Sequence, residues 1–219
     1  MLKKIGKRLI KNLSPDTRAG IMRYLISMEN SNPITRVELQ SIHTEGCQVI
    51  PDRMKLIHRL KGKSARVAEL GVDKGDFSMN IINGCQPKEL VLIDHWEDDE
   101  TYNYVMERFE SFPQVKVLRS NAVKGLQTFP DHYFDWVYID TSHSYEGTKE
   151  ELYEAARKVK DEGLICGHDY TQGNWPERLK YGVIEAVHEF CVDQGFSIKY
   201  LTLDPNCHRS FALQRIKGS

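Results

Sequence analysis

Titratable side chains follow two hydrophobic segments in the second half of the chain. After FDWVYI comes Asp140, with His143 three residues later, and after GLICG come His168 and Asp169. Two carboxylates and an imidazole could hold a divalent cation such as Mg²⁺ or Mn²⁺. His143 would then be available as a general base near neutral pH. The alternative is that these four side chains cap helices and hydrogen-bond to one another.

A glycine-containing turn follows the strand-like segment RVAEL. It contains Glu69, Gly71 and Gly75, and glycine lets a backbone turn sharply and approach a ligand closely. The GxxxG spacing differs from the dinucleotide fingerprint GxGxxG. Glu69 and Asp73 also put carboxylates where a pyrophosphate prefers a bare helix N-terminus. The segment therefore fits a ligand with a cationic or hydroxyl-rich portion, or it is a plain strand-to-helix turn.

Polar or aromatic residues also follow the next two strand-like segments. Asp94 ends ELVLID, where an acid can accept both hydroxyls of a ribose, or it caps a helix. Trp96 could stack on an adenine or pack in the core. Asn121 could hydrogen-bond an exocyclic amine or cap a helix. These positions matter jointly, because ligands of open α/β sheets bind at the carboxyl ends of the strands.

The segments that carry these residues alternate with helical patterns from residue 66 onward. Helices are predicted over 77–83, 100–110, 122–128, 146–160 and 183–194. This alternation predicts a parallel sheet covered by helices on both faces. The last two strand-like runs, 197–204 and 210–216, are joined by only PNCHR, which is too short for a parallel crossover. They should therefore pair antiparallel.

Composition narrows the class of protein. The 219 residues are 40% hydrophobic and 28% charged with a formal net charge of -1, which does not favour nucleic acid as a partner. Five scattered cysteines without a CxxC pair predict reduced thiols, and no apolar run resembles a membrane span or a signal peptide. We therefore expect a cytoplasmic protein.

Residues 1–62 are predicted to form a helical extension before a main domain at 63–219, with one helix near 51–60. The first segment, MLKKIGKRLIKNL, combines five basic residues with leucine and isoleucine at helical spacing. Such a helix either contacts a membrane surface or docks on its own domain or on a second subunit of a homo-oligomer.

The motifs ELGVDKGDFS, LIDHW, RSNA, YIDTSHSYEG and GLICGHDY occur in this order. With them the chain, from about residue 64, resembles class I S-adenosylmethionine-dependent methyltransferases, and within them the macrocin-type sugar and small-molecule O-methyltransferases. The resemblance implies an α/β Rossmann-like fold with a mostly parallel seven-stranded sheet and a C-terminal antiparallel hairpin. It also implies methylation of a hydroxyl on a sugar-like or other small acceptor, with or without a divalent metal.

The resemblance implies roles for particular residues. Glu69 and the two glycines would line the methionine and ribose portion of the cofactor, Asp94 would hold the ribose hydroxyls, and Asn121 would border the adenine. Asp140 and His143 would be catalytic, with His143 as the base. The implied metal ligands are Asp140, His168 and Asp169. The implied S-adenosylmethionine-binding residues are Glu69, Gly71, Gly75, Ser78, Asp94, His95, Trp96, Asn121, Ala122 and Asp140.

Two other functions compete with this interpretation. One is a protein of the same fold that binds the cofactor without catalysis, against which the intact set of acids, glycines and histidines argues. The other is a nicotinamide-dependent oxidoreductase, against which the missing GxGxxG and the closing hairpin argue. Binding of S-adenosylhomocysteine without NAD(H) would exclude the oxidoreductase, and turnover would separate the remaining two.

Overall fold

The computed structural model describes residues 36–174, 179–205 and 208–217, so the predicted basic helix at the start of the chain lies outside the described residues. The strands are β1 (Gln48–Ile50), β2 (Arg66–Leu70), β3 (Glu89–Asp94), β4 (Val115–Arg119), β5 (Phe134–Ile139), β6 (Val159–Gly167), β7 (Gly173–Asn174), β8 (Leu179–Lys180), β9 (Phe196–Thr202) and β10 (Phe211–Arg215). The helices are α1 (Arg53–Ile57), α2 (Asp76–Cys85), α3 (Asp99–Phe109), α4 (Ala122–Gln127), α5 (Tyr145–Lys158) and α6 (Val183–Gln194), with a 3₁₀ turn at Ser41–His43.

Eight strands of the described chain form one sheet in the order β1-β9-β10-β6-β5-β2-β3-β4. Strands β2 to β6 run parallel to their neighbours within this group. Strand β10 is antiparallel to both β9 and β6, which confirms the predicted C-terminal hairpin. The α/β Rossmann-like prediction is therefore confirmed in its layout. A separate two-stranded ribbon pairs β7 with β8.

The predicted count of seven strands is wrong, because β1 adds an eighth strand at the edge of the sheet. Residues 48–50 pair in parallel with Tyr200–Thr202. They belong to the stretch predicted to be a helical extension, and three residues are too few for a period-two pattern to be recognised. The pairing depends on β9, which lies about 150 residues further along the chain.

Helices cover both faces of the sheet, as predicted. Successive side chains of a strand point to opposite faces, so Val67 contributes to one core and Ala68 to the other. The first core contains buried side chains of α1, α2 and α3, and the second contains those of α4, α5 and α6. Strands β2, β3 and β5 are thus buried on both sides, which leaves their carboxyl ends as the accessible place for polar residues.

Helix α2 differs from its prediction at its end. The pattern predicts that Gly84 stops the helix, yet the helix continues to Cys85 and Gln86 adopts the left-handed conformation after it. Gly84 instead allows close packing, since a Cβ there would lie 2.8 Å from Ile57 Cγ2. The glycine therefore serves the contact between α1 and α2 rather than the helix end.

The described cysteines, Cys47, Cys85, Cys166 and Cys191, are free thiols, as predicted. Among the described helices, none has both the length and the hydropathy that crossing a bilayer would require.

Candidate active site

The carboxyl ends of β2, β3 and β5 border a cavity of about 810 Å³. The strand order reverses here, because the chain runs outward from β2 through β3 to β4 and then places β5 on the other side of β2. Open α/β sheets bind ligands at such a switch point. The predicted residues that line the cavity are Glu69, Gly71, Asp94, His95, Asn121, Ala122 and Asp140.

Gly71 is the position at which the turn after β2 comes closest to the end of β5. Its φ is +84°, and a Cβ would lie 1.9 Å from the carbonyl oxygen of Asp140. The amide of Asp140 donates to the carbonyl of Leu70 at 2.8 Å, which holds the two backbones together. Only glycine fits this position without moving one of the two strand ends.

The Asp94 carboxylate holds the glycine-containing turn. Its Oδ2 accepts the backbone amides of Val72 at 2.7 Å and Asp73 at 3.0 Å, and its Oδ1 accepts the amide of Trp96 at 3.1 Å. A carboxylate offers about four acceptor positions, so about one remains for a ligand hydroxyl, and His95 Nδ1 lies 3.3 Å from Oδ1. The ligand-facing role of Asp94 was predicted from the sequence, whereas its support of the glycine-containing turn was not.

Three predicted cofactor-binding residues, Gly75, Ser78 and Trp96, lie behind the cavity lining. Ser78 Oγ donates to Glu69 Oε2 at 2.6 Å, and Gly75, the N-cap residue before α2, has a φ of +81°. Trp96 is buried against Tyr102, and its indole N–H donates to the carbonyl of Asp73 at 2.8 Å. Of the two interpretations of Trp96, the structure therefore has core packing, not an open face for an adenine.

Glu69 is buried, with 1% of its surface exposed, yet it lines the cavity. Burial raises its pKa to about 8, while the hydrogen bond from Ser78 opposes this shift. The carboxyl is therefore mostly protonated at neutral pH. A cationic group placed beside it would favour the ionised form, so the residue is suited to a positively charged ligand.

A compact group of Asp140, His143 and Asp169 lies next to the cavity. His143 Nε2 is 3.2 Å from Asp140 Oδ1 and 2.6 Å from Asp169 Oδ2. Burial favours the neutral imidazole, but hydrogen bonds and charge from both carboxylates outweigh it and raise the pKa of His143 to about 9. In this arrangement His143 is protonated at pH 7, so the neutral form needed for the predicted base is the minor one.

The backbone of this group is unusual as well. His143 and Asp169 have φ values of +58° and +57°, which non-glycine residues rarely adopt. Tyr181 stacks on the His143 ring with centroids 4.7 Å apart. Such conformations persist where the surroundings enforce them, and they concentrate at functional sites.

Two further histidines approach the same carboxylates. His168 Nδ1, predicted as a metal ligand, is 3.5 Å from Asp169 Oδ1 and 3.7 Å from Asp140 Oδ2. His208, which was not predicted, hydrogen-bonds through Nδ1 to Asp169 Oδ1. The ligand atoms of Asp140, His143 and Asp169 lie within 4.8 Å of one another. Two carboxylates among imidazoles are a donor set that fits a divalent cation.

The lining residues that were not predicted from the sequence include Arg53, Glu150 and Glu151. Glu151 accepts a hydrogen bond from Thr141 Oγ1 at 2.6 Å, and burial raises its pKa to about 7. Glu151 could have been recognised from the sequence, because an acid on the apolar stripe of α5, four residues before Ala155, is expected to be buried. Arg53 gave no such signal, since α1 is only five residues long.

Comparisons with known proteins agree with this architecture. Residues 68–170 match the family model of a methyltransferase domain. A SAM-dependent methyltransferase from Aquifex aeolicus has a TM-score of 0.59 at 18% identity, covering 75% of this chain and 88% of that one. An O-methyltransferase family protein from Burkholderia thailandensis has a TM-score of 0.58 at 13% identity, covering 76% and 56%.

The trans-methyltransferase CalH, solved in complex with SAH, has a TM-score of 0.56 at 14% identity, covering 74% of this chain and 55% of that one. Among curated protein sequences, none matches this chain. Residues 68–170 are therefore similar to a methyltransferase domain, and the described chain shares the fold of these solved structures. The macrocin-type subgroup remains a prediction.

Proposed function

We propose that this protein is an O-methyltransferase that transfers the methyl group of S-adenosylmethionine to a hydroxyl of a sugar-like or other small acceptor. One observation carries the proposal. The cavity at the switch point of the sheet is lined by Glu69, Asp94 and Asp140, and it adjoins the carboxylate and histidine group of His143 and Asp169.

Each part of the donor has a complementary residue in the cavity. Asp94, with about one acceptor position left beside the three amides, would take a ribose hydroxyl. Glu69 would face the positively charged methionine portion, whose charge favours the ionised carboxylate. Asn121 and Ala122 would border the adenine. The Asn121 Oδ1 already caps α4 by accepting the amide of Lys124 at 3.2 Å, which leaves its side-chain N–H groups for the ligand.

The chemistry asks the protein for alignment and for removal of one proton. A sulfonium already activates the methyl group, so holding acceptor oxygen, methyl carbon and sulfur in line supplies much of the rate enhancement. His143, in its neutral form, would take the proton of the acceptor hydroxyl. Asp140 and Asp169, with His168, would hold a divalent cation such as Mg²⁺. When bound, that cation lowers the pKa of a coordinated hydroxyl.

Release of S-adenosylhomocysteine from S-adenosylmethionine tests the proposal. The full chain is incubated with a panel of free sugars, nucleotide sugars and phenols, with added Mg²⁺ or Mn²⁺ or with a chelator. We expect acceptor-dependent release from at least one member of the panel. Donor binding without release would favour the non-catalytic alternative, and full activity in excess chelator would contradict only the metal assistance.

A further inference from the structure

The cavity lining is strongly acidic. Its titratable residues, among those described, include seven acids but only two cations, apart from His95. The acids are Glu69, Asp73, Asp76, Asp94, Asp140, Glu150 and Glu151, and the cations are Arg53 and Lys74. Among the described lining residues, these two cations are therefore the candidates to pair with an anionic group of a ligand. Lys74 is exposed, whereas Arg53 is half-buried, so the charge of Arg53 is the less screened of the two.

Arg53 is the first residue of α1, and its side chain lines the cavity. Its guanidinium lies over the Phe77 ring, 4.5 Å from the centroid, and its Nη1 is 3.7 Å from Asp140 Oδ2. The distance to Asp140 exceeds that of a hydrogen bond, so the planar edge of the guanidinium keeps donors for another partner. A stacked guanidinium presents those donors as a rigid fork that matches a carboxylate.

The backbone fixes the position of Arg53 independently of its side chain. Its amide donates to Asp204 Oδ1 at 3.2 Å, which ties α1 to the connection after β9. Asp52 caps the same helix by accepting the amide of Lys55 at 2.8 Å. The backbone at Arg53 is thus held by contacts that a change of its side chain leaves intact.

We propose that Arg53 binds the α-carboxylate of the methionine portion of the donor, an inference that rests on the proposed function. With the ribose at Asp94 and the adenine at Asn121, the methionine portion extends toward Glu69 and Asp140, where Arg53 lies. That portion carries one carboxylate and one ammonium group. Arg53 suits the first and Glu69 suits the second, so the pair orients the donor before its sulfonium meets the acceptor.

Two ligands that differ only in the amino-acid portion test this role. S-adenosylhomocysteine carries the carboxylate, whereas 5′-methylthioadenosine keeps the adenine, ribose and thioether and lacks it. Isothermal titration calorimetry of both ligands is compared between the wild type and the variants Arg53→Gln and Arg53→Lys. Arg59→Gln is the matched control, because Arg59 is exposed and lies one helical turn beyond α1's centre without lining this cavity.

We expect Arg53→Gln to weaken S-adenosylhomocysteine binding about 10- to 100-fold, as for a lost hydrogen bond to a charged group, and to leave 5′-methylthioadenosine binding within about twofold. Arg53→Lys should fall between Gln and the wild type, and Arg59→Gln should bind like the wild type. Equal losses for both ligands would show a purely structural role and overturn the inference.

Unchanged binding of S-adenosylhomocysteine by Arg53→Gln would also overturn it, and Lys74→Gln would then identify whether the other cation holds the carboxylate. A wild type that binds neither ligand would instead refute the proposed function itself. The two failures are therefore distinguishable in one set of titrations.

Discussion

Replacing Glu69 with glutamine should make the stability of the protein less dependent on pH. The carboxyl is buried and its pKa is raised from 4.5 to about 8. Between these two values the folded protein holds a proton that the unfolded chain has released. The resulting stabilisation is fully present below pH 4.5 and is lost as the pH rises toward 8. Glutamine has no such proton and can still accept the hydrogen bond from Ser78 Oγ.

The size of the effect follows from the two pKa values. The full shift of about 3.5 units corresponds to about 5 kcal/mol at 1.36 kcal/mol per unit. Between pH 6 and pH 8, integrating the titration with a folded pKa of about 8 gives about 2 kcal/mol. The wild type should therefore lose about 2 kcal/mol more than Glu69→Gln over this interval.

Urea unfolding of both proteins at pH 6, 7 and 8, followed by circular dichroism, measures this difference directly. Glu150→Gln is the matched control, because Glu150 lines the same cavity but is exposed, and we expect it to follow the wild type. Parallel pH dependences of the wild type and Glu69→Gln would refute the claim that Glu69 is protonated in the folded protein.

Other changes probe the remaining parts of the site. Gly71→Ala puts a Cβ 1.9 Å from the Asp140 carbonyl oxygen, so urea unfolding should show a loss of about 2 to 4 kcal/mol, and wild-type stability would contradict this packing. His143→Ala should lower the methylation rate at least about tenfold in initial-rate assays. Because His143 does not line the donor cavity, the affinity of the His143→Ala variant for S-adenosylhomocysteine should not change. An unchanged rate would remove His143 from the catalytic role.

The order of elements could be predicted because strand and helix patterns alternate within short windows. Parallel strands bring their carboxyl ends to one edge, so residues such as Asp94 and Asp140 could be placed near one another from the sequence. Gly71 was recognisable for the same reason, since it follows the strand that precedes the first helix of the domain.

The residues that were missed depend on contacts between distant parts of the chain. Arg53 and Asp140 form an ion pair although they are 87 residues apart in the sequence. The five-residue helix that carries Arg53 is too short to show an amphipathic pattern. His208 reaches Asp169 only because β10 pairs antiparallel with β6, and sequence spacing does not determine which strand a hairpin joins. Trp96 was not missed, but the sequence left both a ligand contact and core packing open for it, and in the structure it packs against Tyr102.

The most direct test of the central claim is calorimetric titration of the purified protein with S-adenosylhomocysteine, with NADH titrated in parallel. We expect binding of S-adenosylhomocysteine, no binding of NADH, and at least about tenfold weaker S-adenosylhomocysteine binding by Asp94→Asn. Absence of S-adenosylhomocysteine binding by the wild type, or unchanged binding by Asp94→Asn, would contradict a donor site between Glu69 and Asp94.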